Sequence, residues 1–294
     1  MVGAGVVGLS CAVRLLEAGH RVDVVARDLP LETTSAVAAA LWYPYRALPQ
    51  VRVTAWAATA YEAFAGLAAD DRTGVRMLPG TTVHTSPQPD PWWRAAVPAE
   101  LEREHVLPTG YADGWSFVSP VVDMPVYLRW LVARIDELGG TLTRMNLSAL
   151  PTGPVVNATG LGARHLGSDP GVHPVSGQVV VVEQVGLDRW VLDAAGPAYV
   201  VPRATEVVLG GTDREGEWSR TPDPEVAADV LRRAAVLVPE LAGARVLRHR
   251  VGLRPARPEV RLERVGDVVH CYGHGGAGVT LSWGCADEVV NLVG

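Results

Sequence analysis

The chain has 294 residues, 48% of them hydrophobic, and a formal net charge of −6, which is enough apolar material for one large core or two smaller ones. The acidic balance and the lack of a dense arginine run exclude the electrostatic footprint of nucleic-acid binding. No run of about 18 apolar residues and no basic leader before an apolar stretch appears, so neither a membrane span nor an export signal is expected, and a soluble cytoplasmic protein is.

All 26 residues in the Lys+Arg count are arginine, which excludes a Schiff-base lysine and a Walker-type phosphate loop. The three cysteines, Cys11, Cys271 and Cys285, lack zinc-ligand spacing and read as buried small hydrophobes.

Met1 and Val2 lead directly into Gly3-Ala4-Gly5-Val6-Val7-Gly8. A helix is expected from Leu9 to Ala18, ended by Gly19, and Arg21-Val22-Asp23-Val24-Val25 reads as a second strand. So few residues precede Gly3 that a start upstream of Met1 is expected. The middle is mixed, and Pro87-Gln88-Pro89-Asp90-Pro91-Trp92-Trp93 reads as a loop.

An amphipathic helix is expected from near Pro125, with Tyr127, Leu128, Leu131, Ile135 and Leu138 on one face and Gly139-Gly140 ending it. Thr141 to Met145 and Val155-Val156 read as strands. The β-rich stretch from Val175 to Gly211 follows, then a helix from Asp223-Pro224 to about Val238, where aspartate caps and proline takes the first position. The chain returns to glycine at Gly273-His274-Gly275-Gly276-Ala277-Gly278, before a helix from about Val279.

Each glycine of the first cluster has a distinct task. Gly3 permits a tight turn, Gly5 lets backbone approach a pyrophosphate, and Gly8 lets helix pack on strand, with the phosphates meeting the helix N-terminus. Asp28 reads either as a ribose ligand or as a solvated loop charge, and Arg27 either as a partner of the adenosine or as another such charge. Nicotinamide and flavin dinucleotides share this first fingerprint. The second cluster favours FAD, because a reduced flavin is negative near N1 and a helix N-terminus supplies oriented N–H groups there.

Taken together, these segments resemble the D-amino-acid oxidase family along nearly the whole chain. The resemblance is carried by Gly3 to Gly8, Ala38 to Tyr45, Asn157-Ala158-Thr159-Gly160, Tyr199-Val200-Val201-Pro202-Arg203 and Leu209-Gly210-Gly211-Thr212. It continues through Gly252-Leu253-Arg254-Pro255-Ala256-Arg257-Pro258 and Tyr272 to Gly278. It implies a mixed α/β fold, a Rossmann-like FAD-binding domain (1–46, 120–172 and 246–294) interleaved with a mainly β substrate-binding domain (47–119 and 173–245).

By the same resemblance, Gly3, Ala4, Gly5, Val6, Val7 and Gly8, then Arg27, Asp28, Thr33, Thr34 and Ser35, hold the nucleotide side of FAD. Ala39, Ala40, Leu41, Leu147, Thr159, Gly160, Gly275, Gly276, Ala277, Gly278, Val279 and Thr280 complete the cofactor site. Arg254 and the Tyr199 hydroxyl are expected on the substrate carboxylate, and the Gly276 carbonyl on its amine. Tyr43 and Asp213 are expected beside the substrate side chain, Asp213 as a lone carboxylate that repels acidic substrates.

Ala40 departs from the glycine of many members. Asp193-Ala194-Ala195-Gly196-Pro197 has none of the mobile tyrosine of mammalian members, so no tyrosine-gated lid is expected. His274 reads as structural, Arg257 and Arg261 as surface or sheet-pairing charges, and the flavin as non-covalent.

The expected reaction is oxidation of neutral, apolar D-amino acids, by hydride transfer from the α-carbon to flavin N5, with dioxygen as acceptor. The products are a 2-oxo acid, ammonia and hydrogen peroxide. The D configuration rests on the resemblance alone. D-aspartate oxidase and a glycine or sarcosine-type oxidase are the nearest alternatives, a noncatalytic NAD-binding module a more distant one. A homodimer is compatible with the sequence, as is a monomer.

Overall fold

The computed structural model describes residues 1–98, 100–196 and 198–294. In chain order its longer elements begin with α1 (Val6–Glu17), β1 (Asp23–Ala26), α2 (Gln50–Leu67), β2 (Val75–His84), β3 (Glu102–Arg103) and β4 (Asp113–Val122). There follow α3 (Met124–Glu137), β5 (Thr141–Arg144), β6 (Val155–Asn157), α4 (Ala163–Leu166), β7 (His173–Glu183), β8 (Trp190–Asp193) and β9 (Ala198–Pro202). The last are β10 (Glu206–Gly210), β11 (Arg214–Glu215), α5 (Pro224–Leu237), β12 (Val246–Val265), β13 (Val268–His274) and α6 (Gly278–Val293).

The first three residues are enough to act as a strand because both their neighbours are parallel. Val2 N–H donates to Val156 O and Gly3 N–H to Val25 O, each at 2.9 Å, and Val25 and Ala158 donate back to Met1 and Val2. Residues 1–3 thereby join β1 and its parallel partner β5 to β6 and its parallel partner β13. This is the sheet expected from the sequence to bind the nucleotide.

The helix after it starts at Val6, earlier than the apolar periodicity from Leu9 suggested, because the glycine turn itself supplies the first helical turn. Leu9, Cys11, Ala12 and Val13 of α1 are fully or almost fully buried. Burying a side chain the size of Leu9 or Val13 stabilises the fold by about 1.5–3 kcal/mol. α6 lies against α1 and against α2, where Gly284 lets the Trp56 backbone come so close that a Cβ would stand 2.3 Å from its carbonyl oxygen.

β12 is twenty residues long and belongs to both halves of the molecule, antiparallel to β13 on one edge and to β7 on the other. Through β7 the sheet continues as β10, β9, β8, β2, β4 and β3 without a break. The sheet runs through the expected boundaries at 47, 120, 173 and 246 without a gap, and α2 packs on α6 as well as on β2 and β4.

The expected helix at Asp223 forms as α5, with the Asp223 carboxylate accepting from the Glu225 and Val226 N–H groups. The stretch from 47 to 119, mixed by sequence, holds α2, β2 and β4. The Pro-rich stretch from Pro87 to Trp93 is a loop tied at Gln88, whose N–H donates to Asp113 and whose carbonyl accepts from Arg103, and at the Trp93 ring, which is 3% exposed and packs edge-on to Tyr43 with ring centroids 5.2 Å apart. The three cysteines are buried free thiols.

Candidate active site

One continuous cleft of about 440 Å³ runs along the end of the nucleotide-binding sheet and onto β7 and β12. At its start, glycine is required at Gly3, where φ is +113° and a Cβ would stand 2.3 Å from the Ala158 carbonyl oxygen. It is required again at Gly8, whose Cβ would stand 2.2 Å from the Gly3 oxygen. These contacts are backbone on backbone, so the cradle has its shape from the chain path and not from side chains.

Gly5 is the N-cap of α1 and offers no side-chain cap. Ser35 reaches over instead, its Oγ accepting from Val6 N–H at 3.0 Å, a bond that does not use the serine's own hydrogen. Thr33 and Thr34 differ. Their hydroxyls donate to the Pro30 carbonyl at 2.7 Å and the Leu253 carbonyl at 2.8 Å, so they shape the turn and do not offer a hydroxyl hydrogen to an anion.

Arg27, Asp28, Met145, Asn146, Leu147 and His165 line the cleft's outer end. Arg27 and Asp28 form a two-pronged pair, at 3.0 and 2.6 Å, and the guanidinium holds the Asp28 carboxyl below the usual carboxylate range. Thr159 donates its hydroxyl to Asn157 Oδ1 at 2.7 Å, and Asn157 is itself fully buried. Gly160 follows in the left-handed region at φ 55°.

The middle of the cleft is formed by Ala38, Ala39, Ala40 and Leu41 on one side and Gly275, Gly276, Gly278 and Val279 on the other. Two arginines that the sequence reading passed over hold the first segment from below. Arg203 donates to the Ala38 carbonyl at 2.8 Å and Arg250 to the Ala36 carbonyl at 3.0 Å. Ala40 has φ 60°, a conformation that suits glycine.

Ala277 and Thr280 stand behind the cleft wall. The Thr280 hydroxyl accepts from Tyr43 N–H and donates to the Tyr43 carbonyl, both at 3.1 Å, so it pins the Tyr43 backbone. Burial pushes the Tyr43 hydroxyl up to about 12. His274 is also inside, its Nε2 without a partner among the described residues, and burial lowers its pKa to about 4.

At the far end Arg254 and Tyr199 come together with Gly276. Arg254 donates from Nη1 to the Thr212 carbonyl at 2.8 Å, and among the described residues no carboxylate lies within ion-pair distance of its guanidinium. Glycines make the room: a Cβ on Gly177 would stand 2.3 Å from Arg254 Nη2, and one on Gly210 would stand 1.8 Å from Tyr199 Cζ. Glycine inside a strand is a signal of close approach, and Gly177 carried that signal unread. Arg257 and Arg261 are elsewhere, gathered on Asp169 at 2.9 and 3.5 Å.

Asp213 lines this end but is not the lone charge that the sequence suggested. It accepts from the Tyr45 hydroxyl at 3.0 Å and from Arg46 Nη1, so its charge is balanced by a cation 167 positions away in the chain. The segment at the lid position is a small turn in which Asp193 Oδ1 accepts from Ala195 N–H at 3.0 Å and Gly196 N–H at 3.3 Å. Pro197 lies outside the described residues.

The cleft suits an extended dinucleotide with a flat apolar-edged ring system. It has a pyrophosphate cradle that any Cβ would fill, a helix N-terminus there, and a second helix, α6, opening beside the middle segment. The unpaired Arg254 then offers a planar fork for a small carboxylate next to that ring position.

The family model described as FAD dependent oxidoreductase matches residues 1–292. A D-amino-acid oxidase of Rubrobacter xylanophilus is 52% identical over 309 residues, covering 100% of this chain and 95% of the relative. A D-amino-acid oxidase of Streptomyces coelicolor is 45% identical over 305 residues, covering 99% and 95%. Among solved structures, the glycine oxidase of Geobacillus kaustophilus superposes with a TM-score of 0.82 at 21% identity over 99% of this chain and 93% of that one. At that identity the likeness is one of fold.

Proposed function

The chain belongs to the FAD-dependent oxidoreductase family that its D-amino-acid oxidase relatives share, and from that premise we propose that it oxidatively deaminates neutral, apolar D-amino acids. The observation that carries the substrate class is Arg254: a half-buried guanidinium, free of any carboxylate partner among the described residues, beside Tyr199 and Gly276 in a cofactor-sized cleft.

FAD held in this cleft would supply the hydride acceptor and the redox chemistry that uses dioxygen. Gly3 to Gly8 with Ser35 would hold its pyrophosphate. Arg27, Asp28 and Leu147 would hold the adenosine, with Thr159 and Gly160 nearby, and Ala39 to Leu41 with Gly275 to Val279 the ring system. The protein's part in the reaction is orientation. Arg254 grips the substrate carboxylate as a fork, the Tyr199 hydroxyl adds a second bond, and the Gly276 carbonyl accepts from the amine. Fixing these groups leaves the α-hydrogen one direction to point, and such positioning alone accounts for a large part of catalysis.

No side chain on this reading acts as a general base. His274 is poorly suited to that part, because burial lowers its pKa to about 4 and so makes it a weak base, and its Nε2 is enclosed. Residues 1–46, 120–172 and 246–294 then serve mainly FAD, and 47–119 and 173–245 mainly the substrate. No helix among the described residues is long and apolar enough to cross a membrane, and action in the cytoplasm is part of the proposal.

A peroxide-coupled screen over both enantiomers of the common amino acids tests the proposal. Activity is expected with D-valine, D-leucine and D-methionine and not with their L forms. Activity confined to L-amino acids, or to glycine and sarcosine, would overturn it.

A further inference from the structure

At the mouth of the substrate end a tyrosine and an arginine surround one carboxylate, and that carboxylate belongs to the protein. Asp213 accepts from the Tyr45 hydroxyl at 3.0 Å and from Arg46 Nη1. Its side chain is 19% exposed against 66% for Arg46, so the cation reaches in from solvent while the anion sits inside. The Arg46 guanidinium lies 5.1 Å from the Tyr45 ring centroid. Phenol, ring and cation thus enclose a single place of carboxylate size.

That place opens on the substrate. Tyr45 and Asp213 both line the cleft, and Asp213 directly follows Thr212, the residue whose carbonyl takes the Arg254 fork. The Tyr45 ring also stands over Gly276, where a Cβ would be 3.1 Å from its Cδ1. Arg46 holds φ at 43°, a backbone conformation uncommon for any residue other than glycine. Strain of this kind is tolerated where a side chain must be aimed.

We propose that Tyr45 and Arg46 form a subsite for a second carboxylate, and that Asp213 keeps it filled. Acidic D-amino acids are then turned away because the cation they need already has a tethered partner, one whose effective concentration a free substrate cannot match. Repulsion by a bare Asp213 is not the cause, since the Asp213–Arg46 pair carries no net charge. This inference rests on the function proposed above.

Occupancy and repulsion make different predictions for two substitutions. Asp213→Ala empties the place and leaves both donors, so kcat/KM for D-aspartate or D-glutamate, divided by that for D-valine, should rise at least tenfold. Asp213→Asn removes the charge but keeps the place filled, and the ratio should move far less. Adding Arg46→Ala to Asp213→Ala should cancel the rise. Flavin content read from the absorption spectrum reports folding, and Asp213→Ser is a second vacating variant if Asp213→Ala does not hold FAD.

An unchanged ratio in the vacating variants, an equal rise in Asp213→Asn, or a rise that survives loss of Arg46 would each overturn the subsite. Failure of the parent chain on every D-amino acid would instead refute the proposed function. A parent active on D-valine whose variants show no shift refutes the subsite alone.

Discussion

The two ends of the cleft are built from different materials. Around Gly3, Gly5 and Gly8 the walls are backbone, and the contacts that forbid a side chain are to carbonyl oxygens fixed in a sheet. Around Arg254 the walls are long side chains, held apart by glycines on β7 and β10 and tied by single hydrogen bonds. A backbone cradle can be damaged but hardly retuned, whereas a side-chain pocket can change its preference while the fold stays put. The holding of cofactor and the choice of substrate are therefore separable by substitution.

The largest effect that would sharpen this contrast is expected from Gly3→Ala. A Cβ there meets backbone at 2.3 Å in a conformation at φ +113°, and strain plus overpacking should destabilise the protein by about 5 kcal/mol. Purified protein should be colourless, and the urea midpoint should fall steeply. A yellow, stable variant would show that the cradle yields more than its contacts imply.

Arg254→Ala should do the opposite, keeping flavin and stability while kcat/KM drops by roughly a thousandfold, about 4 kcal/mol, as expected when one partner of a charged hydrogen bond is lost. Anaerobic mixing with D-valine should leave the flavin oxidised. Rapid reduction in that experiment would remove Arg254 from the substrate site.

His274 sits between the two regions, and its titration tests the scaffold they share. Its pKa is about 4 in the folded state, lowered by burial, against about 6.5 when unfolded. The unfolded chain binds more protons between these values, so stability rises with pH there. His274 contributes fully above pH 6.5, and the contribution is lost as pH falls towards 4, roughly 3 kcal/mol in all. His274→Gln should flatten that part of the urea-unfolding profile, and an unchanged slope would mean that other groups set it.

Gly177→Ala tests the spacing role of glycine at the substrate end. The added carbon would stand 2.3 Å from the Arg254 guanidinium, a flexible neighbour that moves aside, so stability and flavin content should hold. Displacing the fork by about 1 Å should lower kcat/KM by about a hundredfold. The smallest effect is expected from Ala40→Gly, where glycine relieves a left-handed alanine at φ 60°. Thermal unfolding should show a gain of less than about 1 kcal/mol, offset in part by the freer unfolded chain.

The same contrast explains what could be read from the sequence. Gly3 to Gly8 announce themselves because three glycines at fixed spacing next to a helix have few other uses. The helices at α3 and α5 were legible from apolar spacing and from the Asp223-Pro224 cap. α2 was not, since its apolar residues face both α6 and the neighbouring sheet and blur the period.

Arg254 stood out through a resemblance and not through chemistry, being one arginine among many. Arg203 entered only as the last residue of a resembling segment, with no role, and Arg46 and Arg250 could not be singled out at all: the partners Ala38, Asp213 and Ala36 lie far away in the chain, and local pattern carries no trace of such pairings. Asp213 was read as an isolated charge for the same reason.

The placement of residues 1–3 between β1 and β6 has a consequence for synthesis. The sheet that forms the cradle needs Val25 and Val156 on either side of Val2, and α1 needs α6 laid along it. α1 is synthesised well before α6, so the first helix waits for its neighbour while all the chain between them is made. Pairings of such wide sequence separation are slow to form and leave apolar surface uncovered meanwhile. The nascent chain should therefore acquire its flavin only after α6 has emerged, and chaperones that shield α1 until then should raise the yield of yellow protein.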